Sequence, residues 1–228
     1  MKTSFSRVHI ATFITLLFHV SGCIGMFTSH REWFIQNTPL NLVITFVLLV
    51  WTQREKNTAF FSFLALAFAT GMITEMIGVN TGLLFGEYRY GTVLGPAVNN
   101  VPLLIGVNWF TVVFCSGVLV HTLHQWIAQQ RKNDALLLSP GVLFFSLVMD
   151  AALLTTFFDW VMEPVAVQLG FWTWLSDDIP FKNYFCWFVI SALLLVVFKL
   201  LRFDKQNQFA VHLLLIQLLF FGVLRTFL

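Results

Sequence analysis

The sequence predicts an all-α fold: a polytopic transmembrane bundle of about seven helices, forming a single integral membrane domain over residues 1–228. Three observations carry that expectation. Of the 228 residues, 58% are hydrophobic and only 11% charged, where a soluble domain has roughly a quarter charged. The apolar residues fall in runs near the ~20-residue length that crosses the hydrocarbon core as a helix. Short charged clusters interrupt the runs: His30-Arg31-Glu32, Arg54-Glu55-Lys56, Arg131-Lys132-Asn133-Asp134 and Arg202-Phe203-Asp204-Lys205.

In order, the runs cover 8–27, 38–53, 58–79, 101–122, 136–163, 181–201 and 207–228. The second is short, and the fifth is long enough to end in an interfacial turn. Lys2 and Arg7 ahead of the first run resemble a signal peptide, and Val20-Ser21-Gly22-Cys23 resembles a lipoprotein cleavage box. The apolar run continues past Cys23 through Ile24 and Met26, so an uncleaved first span is expected. With seven spans, nine of the 13 Lys and Arg fall on the side of the N-terminus and four on the other. Positive charge gathers on the cytoplasmic side. A cell-membrane protein with a cytoplasmic N-terminus and an external C-terminus follows.

The formal net charge of +2 gives no reason to expect nucleic acid. The 27 Phe and 8 Trp suit lipid contact or a flat apolar ligand. Cys23, Cys115 and Cys186 lie in apolar surroundings without metal-ligand spacing. His121 and His124 are three apart, but the other histidines are scattered and far from the acidic residues, so no metal is expected.

Ionisable groups inside a span are costly and mark candidate sites. Glu75 lies near the outer end of the third span, Asp150 near the middle of the fifth, and Asp159 and Glu163 near its outer end. Asp159 and Glu163 are i and i+4 and share a helix face with Thr155, Thr156 and Ala152, whereas Asp150 is about half a turn out of phase. Asn108 in the fourth span and Asn183 in the sixth fall at a similar depth. Two or three carboxyls with amides in the outer third of the bilayer is a site-like constellation. Interhelical polar contacts that merely hold a bundle together are the structural alternative.

Between spans three and four the chain reads Glu75-Met-Ile-Gly-Val-Asn-Thr-Gly-Leu-Leu-Phe-Gly-Glu-Tyr-Arg-Tyr-Gly-Thr-Val-Leu-Gly-Pro96. Gly78, Gly82 and Gly86 are four apart, which fits close helix packing. The stretch lacks the Gly-Lys-Ser/Thr of a phosphate loop. Tyr88 and Tyr90, like Trp172 and Trp174 before span six, fit an interfacial aromatic belt or the wall of a binding site. Asp177 and Asp178 read as a solvated loop.

Glu75-x-x-Gly78, Thr81-Gly82-x-x-Phe85-Gly86-x-Tyr88-x-Tyr90, Leu94-Gly95 and Val101-Pro102 resemble the carotenoid biosynthesis protein family, which includes carotenoid 1′,2′-hydratases and bisanhydrobacterioruberin hydratases. The resemblance continues through Trp109, Asp159-x-x-x-Glu163-Pro164, Trp172-x-Trp174, Ile179-Pro180 and Asn183-x-x-x-Trp187, covering about residues 70–190. This chain has Glu163 where the family usually has Asp, Asp178 where it has Gly, and Tyr184 and Cys186 in place of its Phe and Gly.

The resemblance implies addition of water across the terminal 1′,2′ double bond of an acyclic carotenoid ψ-end, of the lycopene or γ-carotene type. No redox cofactor is needed. Its partners would be the carotenoid, water, the lipid bilayer and other carotenoid-pathway enzymes. An alkene is a weak base, so its proton donor must be a neutral carboxylic acid, which apolar burial favours. On this reading Glu75 donates the proton, and Asp159 and Glu163 position and deprotonate the water. Donor and base are exchangeable at this stage. Tyr88, Tyr90, Trp109, Trp172, Trp174 and Trp187 form the substrate wall, with Asn108 and Asn183 as orienting amides. A non-catalytic carotenoid-binding scaffold and a small transporter are the competing readings. A transporter would be expected to show paired repeats or broken helices, and neither is clear here.

Overall fold

The computed structural model describes residues 6–130, 139–176 and 178–228. Lys2, the Arg131–Asp134 charge cluster and Asp177 lie outside the described residues. All seven apolar runs form helices: α1 (Arg7–Gly25), α3 (Thr38–Thr52), α4 (Thr58–Thr81), α5 (Leu103–Gln130), α6 (Pro140–Gln168), α7 (Phe181–Leu200) and α8 (Gln208–Phe227). Six of them are long and apolar enough to cross a membrane. The 15 residues of α3 rise only about 22 Å. The chain is thus an all-α, multi-pass membrane protein.

Local sequence explains where the spans begin. Asn57, Ser139 and Asn207 each stand just before a helix and accept a hydrogen bond from the amide three residues on, the usual N-cap arrangement. Pro140 follows Ser139 at the first helical position, where its missing N–H costs nothing.

Helix α5 is the axis of the bundle. It packs against α3, α4, α6, α7 and α8, and its middle stretch from Trp109 to Val118 is buried throughout. Small residues permit this closeness. A Cβ at Gly71 of α4 would lie 2.5 Å from Cγ of Trp109, and one at Gly106 of α5 would lie 2.7 Å from Phe68. A Gly71→Ala variant should therefore displace Trp109, lower stability by about 1–3 kcal/mol and depress activity with it. A thermal melt in detergent checks the first effect, and unchanged melting would contradict it.

Several expectations are corrected. His30-Arg31-Glu32 is not simply a loop: Arg31–Gln36 form a short helix, α2. The fifth span does not end in a turn near residue 163 but runs helically through Pro164 to Gln168. Proline cannot donate to the carbonyl four residues back, here that of Trp160. The guanidinium of Arg225 on α8 donates to that carbonyl instead and lies 3.7 Å over the Trp160 ring. The fourth span starts at Leu103 rather than 101, because Ala97–Val98 (β2) and Val101–Pro102 (β3) form a tight hairpin ahead of it. Its two turn residues, Asn99 and Asn100, both have positive φ, as a type I′ turn requires.

The spaced glycines are not a helix-packing stripe either. Helix α4 stops at Thr81, and Gly82 closes it in the left-handed conformation (φ +66°), its amide bonded to the Gly78 carbonyl. Only Gly78 of the three is helical, and Phe85 folds back over it.

Candidate active site

After Gly82 the chain returns over the end of the bundle as Tyr88–Tyr90 (β1). It pairs antiparallel with Trp172–Trp174 (β4), Tyr88 opposite Trp174 and Tyr90 opposite Trp172. Gly170 ends α6 with φ +73°, and the Phe171 amide reaches back to the Ala166 carbonyl, a Schellman-type stop. A Cβ on Gly91 would lie 2.3 Å from the Gly170 carbonyl oxygen, so only glycine lets the ribbon close there.

Alternation then sorts the side chains. Arg89 and Thr173 are exposed, whereas Tyr88, Tyr90, Trp172 and Trp174 turn toward the helices and line one cavity. Neither pair belongs to a belt with its polar atom in the headgroups. Tyr88 donates to Oε2 of Glu75, Tyr90 donates to the same oxygen at 2.8 Å, and Nε1 of Trp109 donates to Oε1 at 2.9 Å. Trp172 and Trp174 donate through Nε1 to Oε1 of Glu163 at 2.6 and 2.5 Å. Asn183 donates through Nδ2 to Oδ2 of Asp159 at 2.8 Å.

These residues converge from α4, α5, α6, α7 and the ribbon. Glu75, Asp159, Glu163, Asn183 and Trp109 are all buried. Together with Tyr88, Tyr90, Asn108, Trp172, Trp174 and Trp187 they line a cavity of about 30 Å³, room for a water molecule or so. The structure thus gathers all eleven sequence-predicted site residues around one space. Phe85, Ile105 and Met162 line it as well. Phe85 stood in the family motif without a role assigned to it, and sequence reasoning had not singled out Ile105 and Met162, ordinary apolar residues whose spacing does not set them apart. Trp187 stacks flat on Trp109, ring centroids 3.8 Å apart and planes 8° from parallel. Asp150 takes no part: it is exposed, bonded by Ser146, and 3.8 Å from His124 near the other end of the bundle.

Two features fix what the site can do. No basic side chain lines the cavity among the described residues, and the donors to the three carboxyls are phenols, indoles and one amide. Burial, followed by the charge of Glu75, holds both tyrosines well above the usual phenol range, so they remain O–H donors. The second feature is an imbalance. Both oxygens of Glu75 are engaged, whereas Oδ1 of Asp159 is buried with no N–H or phenol donor against it, and the Asp159 carboxyl lies within hydrogen-bonding reach of the Glu163 carboxyl.

Comparison with known proteins bears on this geometry. The chain is similar to a bisanhydrobacterioruberin hydratase of Haloarcula japonica, with 29% identity over 137 residues. That similarity takes in 58% of this chain and 42% of the relative, so the chain spans less than half of the relative's length. No solved structure matches it. A family profile described as carotenoid biosynthesis protein matches residues 37–228, which takes in every residue of the cavity: the chain belongs to the carotenoid biosynthesis protein family.

Proposed function

We propose that the protein is a cofactor-independent hydratase that adds water across the terminal 1′,2′ double bond of an acyclic carotenoid end group, of the lycopene or γ-carotene ψ type. The observation that carries this reading is the buried Oδ1 of Asp159, which no N–H or phenol meets, in a cavity that holds two further carboxyls and, among the described residues, no basic side chain. The name of the Haloarcula relative supports the reaction class.

The hydrogen bonds favour exchanging the donor and base considered from sequence. Glu75 has no oxygen free to deliver a proton, whereas Asp159 does. Asp159 in its neutral form gives its proton to the less substituted alkene carbon, leaving a tertiary cation. The carboxylate of Glu75 and the faces of the stacked Trp109 and Trp187 steady that cation. Water bonds to the cationic carbon and passes a proton to Glu163. The two indoles share only Oε1 of Glu163, so they do not occupy its other oxygen. Asp159 and Glu163 lie one turn apart on α6, and transfer of the proton from Glu163 back to Asp159 restores the starting state. Asn183 fixes the orientation of Asp159, and Asn108 orients the end group. In the bilayer, the excess of Lys and Arg near the N-terminal side of the spans favours a cytoplasmic N-terminus, an external C-terminus and a site in the outer leaflet.

Co-expression with a lycopene- or γ-carotene-producing pathway tests the proposal. The expected product is a more polar carotenoid heavier by one water. Unchanged pigment that merely copurifies with the protein would refute it and favour a scaffold.

A further inference from the structure

The cavity among the acids admits little beyond the reacting end, so a long substrate must continue elsewhere. A second cavity, of about 50 Å³, shares Ile105, Asn108, Met162 and Trp172 with the first. Its other walls include Leu42 of α3 and Phe221 of α8. It shares the wall residue Thr38 with a third cavity of about 210 Å³. That one lies among α1, α2, α3 and α8 and is bordered by Trp33 and Leu40, which are 62% and 53% exposed on the outside of the bundle. The three together run from the acids to the outside of the bundle beside α2, where Trp33 and Leu40 are exposed.

Among the polar wall residues of the middle cavity, one is left unsatisfied. Gln217 of α8 lines the middle cavity, is only 4% exposed, and its Oε1 has no hydrogen-bond partner. A buried acceptor without a donor is unfavourable, and such groups call for an explanation. An isoprenoid chain supplies a donor only where it carries a hydroxyl.

We propose that these connected cavities are a lateral corridor that seats the isoprenoid chain of the substrate, admitted from the bilayer beside α2, and that Gln217 selects chains carrying a hydroxyl near the reacting end. The corridor rests on the hydration reading for its direction, since the reacting end is the one among the acids. Its occupancy can be read without turnover.

Quenching of tryptophan fluorescence in the purified protein provides that readout, using three probes. These are lycopene, an acyclic carotenoid that carries a hydroxyl within a few carbons of an intact isopropylidene end, and a short monoterpene with the same isopropylidene end. Wild type should bind the hydroxylated chain about tenfold more tightly than lycopene. Leu42→Trp fills the middle cavity from α3 and Phe221→Trp fills it from α8. Each should weaken both long chains at least about tenfold and leave the monoterpene unchanged. Gln217→Leu should bring the ratio of the two long chains close to one. Long chains that bind both plugged variants as they bind wild type overturn the corridor, as does monoterpene binding lost in both alongside the long chains. A ratio unchanged in Gln217→Leu overturns the role of Gln217. Long-chain binding with the expected pattern but without hydrated product removes the hydration reading and leaves the corridor standing.

Discussion

An Asp159→Asn variant should hydrate carotenoid at least about 10²-fold more slowly than wild type, because a positioned general acid typically contributes 10²–10⁴-fold. The substitution is nearly isosteric and keeps an amide oxygen where Oδ2 accepts from Asn183. The fold should therefore survive, and a thermal melt in detergent should move little. What disappears is the acidic proton that the proposed mechanism delivers from Asp159. Glu75 cannot substitute, because the two tyrosines and Trp109 engage both its oxygens. Glu163 serves as the base of the same reaction and receives the proton lost by water, so it does not replace the donor. Asp150→Asn is the matched control on the same helix: it lies on an exposed face against Ser146 and His124 and should leave the rate unchanged. Full turnover by Asp159→Asn would remove the general acid from the mechanism.

The contrast between Asp159 and Asp150 was legible in the sequence, because helical phase separates residues nine apart on one span. So were the seven apolar helices and the meeting of Glu75, Asn108 and Asn183 with the acidic pair, since lipid imposes both length and polarity on a spanning segment. What sequence reading missed depends on distant pairing. Tyr-Arg-Tyr at 88–90 and Trp-Thr-Trp at 172–174 each alternate with the period of a strand, but three residues are too few to announce one. Their partnership spans more than a third of the chain. Once paired, the four aromatics become donors to two carboxyls on different helices rather than membrane-interface anchors. The fifth apolar run ended at residue 163 in the sequence, and the helix that continues through Pro164 was not legible. The carbonyl that the proline leaves unpaired is met by Arg225, a residue from another span.

The neutral donors around Glu75 lead to the second large effect, in which two substitutions at one position should behave differently. Glu75→Ala leaves the N–H of Trp109 and the hydroxyls of Tyr88 and Tyr90 buried without their acceptor, at about 1–3 kcal/mol for each unpaired group. Substantial unfolding or loss of expression is expected. Glu75→Gln should instead be tolerated at about 1 kcal/mol. Indole can only donate, but a phenol both donates and accepts. The amide oxygen can therefore face Trp109 while its NH₂ group donates to the phenol oxygens, which lie within hydrogen-bonding reach of one another. The fold is kept and the negative charge is lost. That charge acts across a water-poor cavity on a cation present only during reaction, where such groups are worth about 10²–10³ in rate. Glu75→Gln should thus melt close to wild type yet form product about 10²-fold or more slowly. Equal melting of the Ala and Gln variants would show that the phenols and indole do not depend on this carboxyl. A fully active Gln variant would show that the cation does not need it either.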